Sequence, residues 1–310
     1  MFITADLIPG NLYLRIFVNL LIYIAILLIV PTIILGILSA IKVKPSNKGN
    51  IYLYAFSAGM FLMIGSVGFL QEAFTRMKNN HNLFNSDLEF NFYTALIIGL
   101  SSLIGLSLVI LGRFLFVKLV KKSNVNIHKD HEEHSHSDHL ISIKDMDNPK
   151  AAWLAIIMIL SHRIIDGIFI GYSVYSLTLG GIGYRSALPL LISFNIHIII
   201  EVIIVYYRQI QYGEKKGKAI LYNFLTFLLI IPFMFMGAFL GEQFDLTKWL
   251  TPALFAMGGS IIVFMSVFEL IPEFIHARNQ SSKILYTTFS LFALAIVLTI
   301  IVLSFHGHVV

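Results

Sequence analysis

Leu160-Ser161-His162-Arg163-Ile164-Ile165-Asp166-Gly167 lies inside an otherwise apolar run, 151–176, that is long enough to cross a bilayer. His162, Arg163 and Asp166 are ionisable. A charge held at mid-bilayer costs at least ~2.5–3.5 kcal/mol on insertion scales, so such groups turn toward a bundle interior or a water path and mark function. The segment therefore needs other helices around it, which a single membrane anchor would not supply. His162 and Asp166 stand four residues apart, on one face of a helix. The next long apolar run, 186–208, repeats the arrangement with His197 and Glu201.

The rest of the chain agrees with a membrane bundle. Of its 310 residues 57% are hydrophobic and 13% charged, and the mean hydropathy is +0.82, outside the soluble globular range. Apolar runs over 12–41, 51–75, 91–118, 151–176, 186–208, 218–241, 248–274 and 283–305 predict an all-α polytopic protein with eight transmembrane helices. The first run has no basic start and no small-residue cleavage site, and is expected to be a retained helix. Loops after odd-numbered spans carry 15 Lys and Arg residues, and the opposite loops carry four: Arg76, Lys78, Arg185 and Lys248. The positive-inside rule then places both termini outside the cytoplasm. The formal charge of +5 is too small and dispersed to argue for nucleic acid. With no cysteine, any metal site must use His, carboxylate, Met or backbone oxygen.

Residues 1–118 hold spans one to three, 119–150 a cytoplasmic loop, and 151–310 spans four to eight, all one transport unit. The loop centre contains His128, His131, His134, His136 and His139 among four carboxylates, with no apolar residue. It cannot build a core, and is expected to be a disordered tract that binds Zn2+ and similar ions loosely. At an offset of 200, Gly59, Ser66, Val67 and Leu70 match Gly259, Ser266, Val267 and Leu270. Spans two and seven would run in opposite directions, giving an inverted repeat of spans one to three against six to eight around spans four and five. Such repeats are typical of secondary transporters with a mid-membrane substrate site.

His162, Asp166, His197 and Glu201 together offer two imidazoles and two carboxylates, a shell suited to Zn2+ and also to Fe2+ or Mn2+. Met60 in span two is a candidate thioether donor. The competing reading is an ion-pair network, with Arg163 as counter-ion, that only pins helices together.

These motifs resemble the ZIP family of divalent metal transporters over nearly the whole chain. The family's His-Asn-x-x-Glu/Asp-Gly of span four stands here as His162-Arg163-Ile164-Ile165-Asp166-Gly167. Its span-five pair stands as His197 and Glu201, and its span-seven signature as Gly258-Gly259 through Glu269-Leu270-Ile271-Pro272-Glu273. Ala58-Gly59-Met60 through Gln71-Glu72-Ala73 in span two and Pro232 in span six are also similar. The resemblance implies uptake of a divalent cation, zinc first and Fe2+, Mn2+ or Cd2+ as alternatives, toward the cytoplasm by alternating access. It implies spans one, four, five and six as the moving bundle, a homodimer among the expected assemblies, and no cofactor beyond the transported ion.

Glu269, Glu273 and His276 are a candidate exit relay at the inner end of span seven. Two-metal members place a ligating Asn where Arg163 stands, an acidic residue at Ile198 and a glutamate at Ile231. The ligands peculiar to a second metal are thus missing together, and a permanent cation takes their place. A metal sensor or non-transporting homologue, and an intramembrane zinc hydrolase activating water, are the alternative functions. No general base and no His-Glu-x-x-His marks the hydrolase, so a transporter rather than an enzyme is expected. The Ile-, Lys- and Asn-rich wording points to a bacterial plasma membrane.

Overall fold

In the computed structural model, residues 10–40, 47–123, 163–180, 182–211, 213–275 and 281–304 are described, and these are almost entirely helical. Helix α1 is Leu12–Ala40. Helix α2 (Asn47–Met63) passes through a π-helical turn, Ile64–Leu70, into α3 (Gln71–Asn79). Helix α4 is Asp87–Ser123, α5 is Arg163–Leu179 and α6 is Ile182–Gln211. Helix α7 (Lys216–Phe239) leads through the short α8 (Gly241–Leu246) to α9 (Leu250–Met265). A second π turn, Ser266–Leu270, continues into α10 (Ile271–Ile275), and α11 is Ser282–Ser304.

Among the described residues, six helical segments are long and apolar enough to cross a membrane: Leu12–Ala40, Lys48–Asn79, Asp87–Gly112, Lys216–Phe239, Leu250–Phe268 and Ser282–Ser304. They match expected spans one, two, three, six, seven and eight, with ends shifted by a few residues. The first half of the expected fourth span, including His162, lies outside the described residues, as does the His-rich loop. Helix α6 covers the expected fifth span and includes the apolar stretch Phe194–Tyr207.

Local sequence sets where the helices begin and end. The Asn11 side chain accepts the Leu14 amide at 3.0 Å and caps α1. Ser86 accepts the Glu89 amide at 3.2 Å, while the Glu89 carboxylate reaches back to the Asn85 amide at 3.0 Å, a variant of the capping box. Gly180, at φ 76°, terminates α5 in the left-handed conformation that other residues rarely adopt. Both π turns sit at the same relative place. The matched residues Ser66, Val67 and Leu70 lie in the first, and Ser266, Val267 and Leu270 in the second.

The helices sort into two groups by packing. Helices α1, α5, α6 and α7 pack on one another, while α2 with its π turn packs on α11 and α9, and α9 on α4; α6 also meets α2 and α11 across the boundary. Side-chain hydrogen bonds tie helices together within each group. In the first group Asn19 donates to Thr178 (2.9 Å), Asn195 to Tyr23 (2.6 Å) and Asn223 to Gln209 (3.1 Å). In the second, the Ser266 hydroxyl donates to the Ala58 carbonyl at 2.8 Å. In hydrocarbon each such bond is worth ~0.6–2 kcal/mol and fixes helix register. Helix α5 is the most enclosed, with every residue from 169 to 178 buried, whereas α4 is the least enclosed of the six membrane-length segments.

Close approach of α5 and α7 depends on missing side chains. A Cβ on Gly171 would overlap the Met234 carbonyl, and one on Gly237 the Ile168 carbonyl. The obstacle in both cases is backbone, which a rotamer change cannot move aside. Gly171→Ala is therefore expected to force the helices apart and destabilise by about 1–3 kcal/mol, read as a lower thermal midpoint by tryptophan fluorescence in detergent. Gly99→Ala, where nothing lies within 4 Å of the added carbon, meets no such obstacle and is expected to leave stability unchanged or raise it by up to about 1 kcal/mol.

Candidate metal centre

Helices α5 and α6 each present a carboxylate to the same point. Asp166 lies one turn into α5, and His197 and Glu201 face it from successive turns of α6. The His197 Nε2 atom stands 3.7 Å from Asp166 Oδ2 and 3.9 Å from Glu201 Oε2. One ligand atom from each of the three lies within 4.8 Å of the others. All three side chains are enclosed, with side-chain exposures of 0%, 0% and 1%. Ligands around a tetrahedral zinc at ~2.0–2.1 Å lie about 3.3 Å apart. The two His197 spacings, 3.7 and 3.9 Å, are about half an ångström wider and the three donors lie within 4.8 Å, so an arriving ion would draw them inward.

Gly167, next to Asp166, brings α7 onto this turn of α5: a Cβ there would meet the Ile230 carbonyl at 2.8 Å. Lipid is thereby excluded from behind the carboxylate. Phe61 of α2 covers the other side, its ring 4.0 Å from the His197 imidazole. This is the contribution of the second helix group to the site. Met60, the expected thioether donor, is buried on the same helix at 3% exposure.

Arg163 lies one turn before Asp166 but reaches across to the other helix. Its Nε donates to Glu201 Oε1 at 3.3 Å and its Nη2 stands 3.3 Å from Glu201 Oε2, so the guanidinium faces both carboxylate oxygens. Its Cζ lies 4.7 Å over the Phe227 ring of α7, an aromatic face that partly replaces the water it has lost. With His197 neutral, the four side chains sum to one negative charge. A bound dication would turn that into one positive charge. The ion-pair reading and the metal reading thus describe the same cluster: Arg163 compensates Glu201, and Asp166 with His197 completes a donor set.

The remaining expected residues are placed unevenly. His162, His276 and the loop residues His128, His131, His134, His136 and His139 lie outside the described residues. Glu269 falls in the second π turn and Glu273 in α10, and both side chains lie outside the description. Phe61 and Phe227 are site neighbours that sequence reasoning missed, because a phenylalanine in an apolar helix carries no distinguishing signal.

No curated protein matches the chain closely enough for comparison. A family profile described as ZIP zinc transporter matches residues 15–302, from the start of α1 almost to the end of α11. With several membrane-length apolar helices and a buried Asp/His/Glu cluster, the chain belongs to the ZIP zinc transporter family.

Proposed function

We propose that this protein carries a divalent cation, zinc in the first place, toward the cytoplasm through a mid-membrane site made by Asp166, His197 and Glu201, with His162 as the fourth donor. The observation that carries the reading is the convergence of three metal-type donors from two helices at a fully buried point. Fe2+, Mn2+ and Cd2+ suit the same imidazole and carboxylate donors and are candidate substrates too. The chain would cross a bacterial plasma membrane eight times with both termini outside. In that arrangement α5 completes span four from residues before 163, and α6 is span five. The coincidence of the two π turns at an offset of 200 residues supports an inverted repeat, in which spans two and seven have equivalent roles. Division of the helices into two polar-bonded groups supports alternating access, with the metal-bearing group α1, α5, α6 and α7 moving against the other.

The transport site would hold one ion, and Arg163 would occupy the space and charge of a second. An ion entering the shell must share Glu201 with the guanidinium, which weakens binding. That sharing also favours one other reading, a chain that binds metal without moving it.

Zinc flux into proteoliposomes separates transport from binding alone. Wild-type protein is expected to load the vesicles, and Asp166→Asn, His197→Ala and Glu201→Gln each to lower the rate by about 100-fold or more, since even groups that merely support metal ligands are worth 10–100-fold. Binding with no flux in the wild type would establish the sensor reading.

Arg163 gives a separate measurement. In Arg163→Met, Glu201 loses the cation that compensates its burial, and breaking a buried pair costs about 3–5 kcal/mol. The metal-free variant should melt well below wild type, and zinc at about 100 times Kd should return about 2.7 kcal/mol of it. Metal content of the protein with residues 128–139 deleted is expected to be one ion per chain in the wild type. Two tightly held ions would overturn the one-metal assignment.

A further inference from the structure

Above the metal centre, α5 continues through Phe169 to Tyr172, at steps of three residues from Asp166. At ~1.5 Å rise per residue, Tyr172 lies about 9 Å along the helix from the carboxylate. Phe169 meets Phe69 edge-on at 4.6 Å and Phe255 at 4.7 Å, and Phe69 and Phe255 are 5.6 Å apart. Three rings from three helices fill this level. The next level is polar. The Tyr172 hydroxyl accepts from Arg76 Nη1 at 2.7 Å and donates to Asp245 Oδ1 at 2.6 Å. Arg76 Nε in turn donates to Glu72 Oε1 at 2.7 Å. The Arg76 guanidinium also lies over the Phe255 ring at 4.8 Å, so the polar level rests directly on the aromatic one.

Of the partners of Tyr172, Arg76 belongs to the other side of the division described above and Asp245 to the segment that joins the two sides. Arg76 is on α3, the extension of α2. Asp245 is on α8, whose Phe244 carbonyl accepts from the Thr251 hydroxyl of α9 at 2.6 Å. The Asn80 side chain, just past α3, donates to the Lys248 carbonyl at 3.1 Å and ties the two partner segments together. Arg76 is thus held on the second body and Tyr172 reaches it from the first, while α8, with Gly241 against the Tyr175 ring and Glu242 accepting from the Tyr13 hydroxyl at 3.5 Å, bridges the two.

We propose that Arg76, Tyr172 and Asp245 form a latch that closes the extracytoplasmic mouth over the metal centre and holds the metal-bearing helices against the remaining ones. The latch rests on the transport reading and on the orientation given by the positive-inside rule, which puts Arg76 and Asp245 at the outer surface. While it is made, the Phe69, Phe169 and Phe255 rings stay apposed and an ion at Asp166 has no path outward. Opening requires the Tyr172 hydroxyl to leave Arg76, toward which its bond to Asp245 orients it. Arg76 keeps Glu72 when this happens, so the open state leaves no buried uncompensated guanidinium.

The chain contains no cysteine, so Lys78→Cys beside the latch and Leu179→Cys at the end of α5, both at exposed positions, provide two unique sites for spin labels. In metal-free protein in lipid nanodiscs, the double-labelled chain should show one dominant short distance. Adding Tyr172→Phe, which removes the hydroxyl and keeps the ring, should raise the ratio of long to short distances about tenfold, the loss of one net hydrogen bond to a charged group. Asp245→Asn, which preserves shape, should shift the same ratio in the same direction. An unchanged distribution in both variants would overturn the latch. Labelling of Lys78→Cys by a membrane-impermeant thiol reagent on intact cells is expected, and labelling only after lysis would overturn its assignment to the external mouth. Neither readout depends on flux, so a chain that failed to transport would leave this test intact.

Discussion

Asp166 and Glu201 are carboxylates at 0% and 1% exposure among helices whose other surfaces are hydrocarbon, and much of the architecture follows from keeping them there. An isolated ion in such a medium costs several kcal/mol even after relaxation. Glu201 is therefore faced by the Arg163 fork, and Asp166 by the His197 imidazole at 3.7 Å. Compensation of this kind works only where the local dielectric stays low and the geometry fixed, which requires α5 to be covered on every side. Gly167, Gly171 and Gly237 allow α7 to lie directly on the α5 backbone. The small residues and the charges are thus linked, since larger side chains at the crossing would separate the helices and admit lipid or water to the carboxylates.

The boundary between the two helix groups differs in chemistry from their interiors. Within the first group, directional bonds from Asn19, Asn195 and Asn223 fix each helix against the next. At the site, by contrast, the second group offers the Phe61 ring, and one level away Phe69 and Phe255. Aromatic contacts have no acceptor to lose, so a surface of this kind can slide a few ångströms at small energetic cost. On the proposed reading, the donors Asp166, His197 and Glu201 would travel together on one body past an apolar wall.

Much of this was legible in the sequence, and the limits have identifiable causes. Hydropathy locates the six membrane-length helices because a span of hydrocarbon demands a continuous apolar run. The spacing of four residues in both ionisable helices points to a shared centre, and Asp166, His197 and Glu201 do meet. Which carboxylate Arg163 would take could not be read from spacing. Asp166 is nearer in sequence, but the guanidinium reaches Glu201, 38 positions away. The Arg76–Tyr172–Asp245 chain joins residues separated by 96 and 73 positions, and only the folded arrangement brings them together. The matched glycines and serines suggested paired segments, while the π turns within them depend on backbone geometry that no residue type announces.

Asp166 and Tyr172 occupy the same rigid helix, α5, and this couples the two ends of the pathway without any special relay. If the latched form is closed to the outside, an ion can enter from there only in the minor, unlatched population. The apparent affinity seen from outside is then the intrinsic one divided by the fraction of molecules that are open. Strengthening the contacts of Tyr172 would lower that affinity, and weakening them would raise it, although Tyr172 is not among the metal donors. The coupling is reciprocal: an ion that binds the open form better must favour release of Tyr172 by the same factor. Arg163 would act separately, lowering the intrinsic affinity by sharing Glu201 with the ion. On this reading affinity would be divided between two arginines: Arg163 would govern how tightly the ion is held, and Arg76 how often the site is within reach.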